Sequence, residues 1–209
     1  LNIVNGTNDI VFTIRGFRDT YEASAVVQRK FLFSDLQTGL IGVFRDLKAG
    51  SGSTIAVPVQ LKLPAGISLR SLQFRVEVKP DGNNEPILDQ FRPLSLDPDT
   101  DFIPMGSPAA DPSTNISFMS ESFAYTDSDG KLVRGLTISF ISAGANLLAQ
   151  DFVTVALLAV PMPLSAVPNA GADSSYTISV RYPSATSDGE QLDVPMQPVA
   201  DRHIVIANI

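Results

Sequence analysis

The stretch Ser71-Leu72-Gln73-Phe74-Arg75-Val76-Glu77-Val78-Lys79 decides the fold. Leu72, Phe74, Val76 and Val78 alternate without a break with Ser71, Gln73, Arg75, Glu77 and Lys79. A helix would scatter those four apolar side chains around its axis. A strand, with its period of two, puts them on one face and leaves the other in water.

The same signal recurs on both sides of this stretch. Ile10 to Ile14 is β-branched and aromatic, which suits a pleated, half-buried surface. Thr54 to Leu63 alternates with Ile55, Val57, Val59, Leu61 and Leu63 on one face. Pro58 falls on the other face and cannot donate to a ladder, so this strand is expected at an edge or with a bulge. Leu136 to Phe140 alternates after a turn at Asp127-Ser128-Asp129-Gly130. Phe152 to Val160 is apolar on both faces, and Val153, Val155 and the bounding Pro161 favour a covered central strand over a buried helix. Tyr176 to Tyr182 and His203 to Ile206 complete the set. Thr20 to Lys30 and Ala143 to Gln150 are the two segments that could turn helical, although Val26 and Val27 could equally open a strand. Seven or more strands with frequent turn signals predict an all-β, antiparallel β-sandwich.

Composition agrees. In 209 residues, 44% are hydrophobic and 18% charged, enough for a core and too apolar for disorder. The 15 Pro and 14 Gly stand singly, as turns require. Pro86, Pro93, Pro98, Pro104, Pro108 and Pro112 crowd Asp81 to Asn115, which reads as a long Pro/Asp-rich excursion from the sandwich. A formal charge of -7 argues against a nucleic-acid partner, because phosphate binding wants a basic surface. With no cysteine there is no disulfide, no thiolate zinc site and no thiol nucleophile. The longest apolar run is too short for the roughly 20 residues of a membrane helix, so a soluble protein is expected. Leu1 in place of Met reads as a processed protein or an excised fragment.

From about Ala49 onward the chain resembles the cohesin modules of bacterial cell-surface and cellulosome-type proteins. Gly52-Ser53-Thr54-Ile55-Ala56-Val57-Pro58-Val59, Leu72-Gln73-Phe74-Arg75-Val76, Gly135 to Phe140, Phe152 to Leu158 and His203 to Asn208 carry the likeness. Residues 1 to about 46 lie outside it, and the excursion is longer than the family's pattern. Tyr176 to Pro195 is similar to cohesin-like repeats of large bacterial surface proteins. The resemblance implies a jelly-roll sandwich over 47–209, with 1–46 a strand-containing segment packing on it. It also implies a non-catalytic, secreted or cell-surface module of adhesion or docking, with a dockerin-like domain or neighbouring subunits as partner. In the family the partner lies on one sheet, and Ser71, Gln73, Arg75, Ser139 and Ile141 occupy the matching outward positions. Ordinary solvent-facing residues are the bland alternative, although an apolar Ile141 among polar neighbours favours contact. The rival function is a structural subunit of a surface filament or layer, in which Asn8 to Ile14 is added to a neighbour's sheet edge.

Other site chemistry is thin. Asp97, Asp99 and Asp101 give carboxylates at alternate positions, candidate oxygen ligands for Ca²⁺, although Phe102 and Pro108 stand where an EF-hand needs Gly and Glu. A solvated Asx-turn loop accounts for them equally. The single histidine, His203, is expected as an edge-strand side chain, since no G-x-S-x-G elbow accompanies it. Carbohydrate stays open as a ligand, but Trp is absent, Tyr numbers four, and the 12 Phe are expected mostly in the core. Asn5-Gly6-Thr7 and Asn115-Ile116-Ser117 fit the N-glycosylation sequon and suggest surface positions.

Overall fold

A computed structural model of the chain describes residues 9–14, 27–32, 38–82, 88–94, 116–142, 147–148, 152–170, 174–187 and 193–208. The chain forms two compact units, Leu1–Gln37 and Thr38–Ile209. In the first, β1 (Asp9–Ile14) and β2 (Val27–Leu32) pair antiparallel from Asp9 opposite Leu32 to Ile14 opposite Val27. Part of the segment that could have been helical is therefore strand. Val27, β-branched and opposite Ile14, opens it.

The second unit contains β3 (Gly39–Gly42), β4 (Leu47–Ala49), β5 (Thr54–Lys62), β6 (Ser68–Leu69), β7 (Ser71–Pro80), β8 (Arg92–Pro93) and β9 (Ile116–Thr126). It continues through β10 (Leu132–Ser142), β11 (Leu147–Leu148), β12 (Val153–Pro161), β13 (Ser175–Thr186), β14 (Met196–Pro198) and β15 (Arg202–Ile206). One sheet has the order β4-β15-β13-β7-β10-β9, the other β14-β3-β5-β12-β8. No α-helix occurs among the described residues. This is an all-β sandwich of the jelly-roll kind.

The alternations read from the sequence set the core. Leu72, Phe74, Val76 and Val78 of β7 meet Val57, Val59 and Leu61 of β5 in one buried cluster, all at 1% exposure or less. Two paired crossings tie the sheets together. Both β3 to β4 and β14 to β15 leave the five-stranded sheet for the six-stranded one, and each pairs in parallel with its counterpart. The sandwich therefore begins at Thr38, taking in residues 38–46 that the sequence reading placed in the preceding segment.

Four further expectations are refined. Strand β5 lies between β3 and β12, yet β3 reaches only Gln60 to Lys62, so Pro58 has a ladder partner on the β12 side alone. The irregularity sits in β12, between Thr154 and Ala156. Residues 88–94 belong to the sandwich rather than to an excursion, with Leu88 and Phe91 in the core. Gln90 Nε2 donates to the Gly135 carbonyl at 3.0 Å, and the Leu94 amide donates to Leu157 O at 2.8 Å. Pro93 fits there because β8 is an edge. The remaining part of the Asp81 to Asn115 stretch, Asp97, Asp99 and Asp101 included, lies outside the described residues apart from 81–82. In place of one helical turn, 147–148 form a short strand on β6. Strand β15 is flanked by β4 and β13, so His203 is not on an edge strand.

Candidate protein-binding face

The outward side of the six-stranded sheet is a grid fixed by register. Across β13, β7, β10 and β9 one row reads Arg181, Arg75, Thr137, Glu121. The next reads Ser184, Gln73, Ser139, Met119. Beyond it Thr186, Ser71 and Ile141 stand side by side, and on the other flank Ser179, Glu77, Gly135 and Phe123. The five positions singled out from the sequence, Ser71, Gln73, Arg75, Ser139 and Ile141, thus lie together. Ser71 Oγ is within 2.7 Å of Thr186 Oγ1, which spends that hydroxyl on its neighbour.

The grid carries aromatic groups that strand alternation around residue 74 did not disclose. Phe123 lies across Gly135, where a Cβ would come within 2.1 Å of its Cζ. Glycine leaves the space in which the ring lies flat on the sheet. Tyr125 stacks beside Phe123 with centroids 6.2 Å apart, and its hydroxyl donates to Glu77 Oε2 at 3.0 Å. Burial and this bond push the Tyr125 hydroxyl up to about 12. At the bulge between Arg181 and Ser184, Tyr182 adopts φ 51° and stands 72% exposed. Arg75 lies between the two sides, 5.2 Å from the Phe123 centroid and 5.5 Å from that of Tyr182.

Charges at the margin are mostly neutralised. Arg181 pairs with Asp201 at 2.6 Å, and Lys79 with Asp127 at 3.1 Å. Asp127 also closes the β9–β10 turn, accepting from the Lys131 and Asp129 amides, and these bonds hold its carboxyl below the usual range despite some desolvation. Large apolar groups stay in water: Met119, Tyr125, Ile141 and Tyr182 are all exposed on this side.

Beside the grid, His203 Nδ1 lies 2.9 Å from Asp81 Oδ2, which also takes the Ser175 hydroxyl at 2.5 Å, while Thr177 binds the other oxygen. Burial acts to raise the Asp81 carboxyl, but the three bonds outweigh it and leave it lowered. Ser175 is tied to the carboxylate and not to the imidazole, the reverse of the order that activates a serine. Among the described residues no group of three His, Asp or Glu side chains could hold a metal, and no helix is long and apolar enough to cross a membrane.

No protein-family model matches the chain, and no curated protein matches it. Solved structures do. The third cohesin of ScaC from Acetivibrio cellulolyticus, in complex with the ScaB dockerin, superposes with TM-score 0.51 at 14% identity, covering 82% of this chain and 100% of that one. The sixth cohesin of scaffoldin B from the same organism gives TM-score 0.46 at 18% identity, covering 81% and 98%. The seventh ScaB type I cohesin of Pseudobacteroides cellulosolvens gives 0.45 at 13%, covering 83% and 93%. The first of these shows the fold, a cohesin-like β-sandwich.

Proposed function

We propose that this cohesin-like sandwich is a non-catalytic protein-binding module, secreted or displayed at the cell surface, that docks a dockerin-type domain or a neighbouring subunit. The docking side is the outer face of β13, β7, β10 and β9. One observation carries the reading: Met119, Ile141, Tyr125 and Tyr182 are exposed on one face, beside which Lys79 and Arg181 are already paired with Asp127 and Asp201. Interface cores are rich in aromatic residues and Met, and here Ser71, Gln73 and Ser139 stand as polar positions among them in the grid. The shared fold supports it, since the ScaC cohesin was solved with a dockerin. The filament alternative, with Asn8 to Ile14 added to a neighbour, is less favoured because β1 already pairs along its length with β2.

The test is binding of a panel of dockerin domains to the full chain and to Ile141→Asp and Met119→Asp. Binding of one or more, weakened at least about tenfold by either carboxylate in a desolvated contact, is expected. No binding by any domain, or equal binding by the variants, would count against the face.

A further inference from the structure

Arg75 and Arg181 oppose each other across β7 and β13, an arrangement in which like charges repel. The two are settled differently. Arg181 is held by Asp201. Arg75 is exposed, lies against two rings, and among the described residues makes no ion pair and no hydrogen bond. Glu77, two residues along the same face, would be its natural counter-charge. It is only 8% exposed and is engaged by the Tyr125 hydroxyl instead.

Both rings that flank Arg75 occupy positions that folding alone does not favour. Phe123 requires a glycine beneath it. Tyr182 sits in the left-handed region at φ 51°, which strains a non-glycine residue, and it recovers little by burial at 72% exposure. What the two rings do accomplish is to flank a guanidinium, at 5.2 and 5.5 Å from its carbon, whose N–H donors make no hydrogen bond among the described residues.

We infer that Arg75 is the specificity-determining anchor of the docking face, taking one carboxylate of a partner protein, an Asp or Glu flanked by apolar side chains that cover Met119 and Ile141. This rests on the docking reading above. A planar fork of donors matches a carboxylate bidentately, and a side chain already held between two rings has less freedom to lose when it binds. The chain's net charge of -7 sets the complement: a run of acids would be repelled, whereas a single acid aimed at Arg75 meets local positive charge.

The experiment pans a random peptide library on the full chain. Enriched peptides are then measured against the full chain, Arg75→Gln, Arg75→Lys and Ile141→Asp, with a glycan array run in parallel. Enriched peptides should share an Asp or Glu beside apolar residues. Its change to Asn or Gln, or Arg75→Gln, should each weaken binding about tenfold to a hundredfold, with little further loss when combined. Arg75→Lys should restore only part, because an ammonium lacks the fork. No enrichment, a consensus without an acid, full binding by Arg75→Gln, or binding of neutral glycans alone would overturn the inference. Loss with Ile141→Asp but not with Arg75→Gln would leave the docking face standing and remove Arg75 from it. Indifference to both would remove both.

Discussion

Phe91→Ala probes the part of the sandwich least expected from its sequence. Phe91 is 1% exposed and stands between Gln90, which bonds to β10, and Arg92, which pairs with β12. Removing the ring leaves a cavity between two sheets that are each held by their own ladders, so collapse is limited. Buried Phe→Ala changes of this kind cost about 3–5 kcal/mol. For a domain of roughly 150–250 residues each kcal/mol lowers Tm by about 2–4 °C, giving a fall of roughly 6–20 °C. Urea unfolding followed by near-UV circular dichroism should show the midpoint drop with an unchanged slope. Phe152→Ala, at 47% exposure, is the comparison and should cost well under half as much. A loss below about 1 kcal/mol at Phe91 would mean that residues 88–94 are not part of the core, and the assignment of β8 would fall with it.

Gly135→Ala should push the Phe123 ring off the sheet and away from Arg75, visible as a loss of ring-current shifts on the Arg75 side chain, while Thr137→Ala leaves them in place. Tyr182→Gly should hold or raise the thermal midpoint by relieving the positive φ, yet weaken any partner that uses Arg75. Because the Tyr125 hydroxyl titrates higher in the folded chain, its stabilising contribution is complete below about pH 10. It is lost as pH rises toward about 12, and Tyr125→Phe should flatten that alkaline decline in urea midpoints. The lowered Asp81 carboxyl works in the opposite direction. Its contribution is present above the ordinary carboxylate range and lost as pH falls through it, so Asp81→Asn should lower stability at pH 7 more than at pH 3.

The inward half of the fold was legible because burial enforces alternation. Leu72 to Val78 and Val57 to Leu61 could satisfy only one register without turning their apolar set to water. Strand β9 escaped notice for the converse reason. Of its apolar positions, Met119, Phe123 and Tyr125 fall on the outward side, and Ser120 and Ser122 interrupt the side of Leu136 and Ile138, so the core-facing alternation is broken in mid-strand. Strand β3 is short and glycine-flanked, and it is fixed by pairing with β14, more than 150 residues away in sequence. For the proposed docking face, position along β7 and β10 could be read from the alternation, which placed Gln73 and Arg75 outward. Partners of Arg75 could not be, since a bulge at Tyr182 and a ring lying over Gly135 are tertiary facts. The Asp97, Asp99 and Asp101 reading rests on sequence alone.

Hydroxyl-radical footprinting of the full chain, alone and with a bound dockerin domain, tests the docking face most directly, because its exposed side chains include oxidisable Met119, Tyr125 and Tyr182. Bound partner should protect these three and leave Phe152 and Leu164, exposed away from that face, reacting as before. Protection of Phe152 and Leu164 with Met119 and Tyr182 unchanged would place the partner elsewhere and contradict the account.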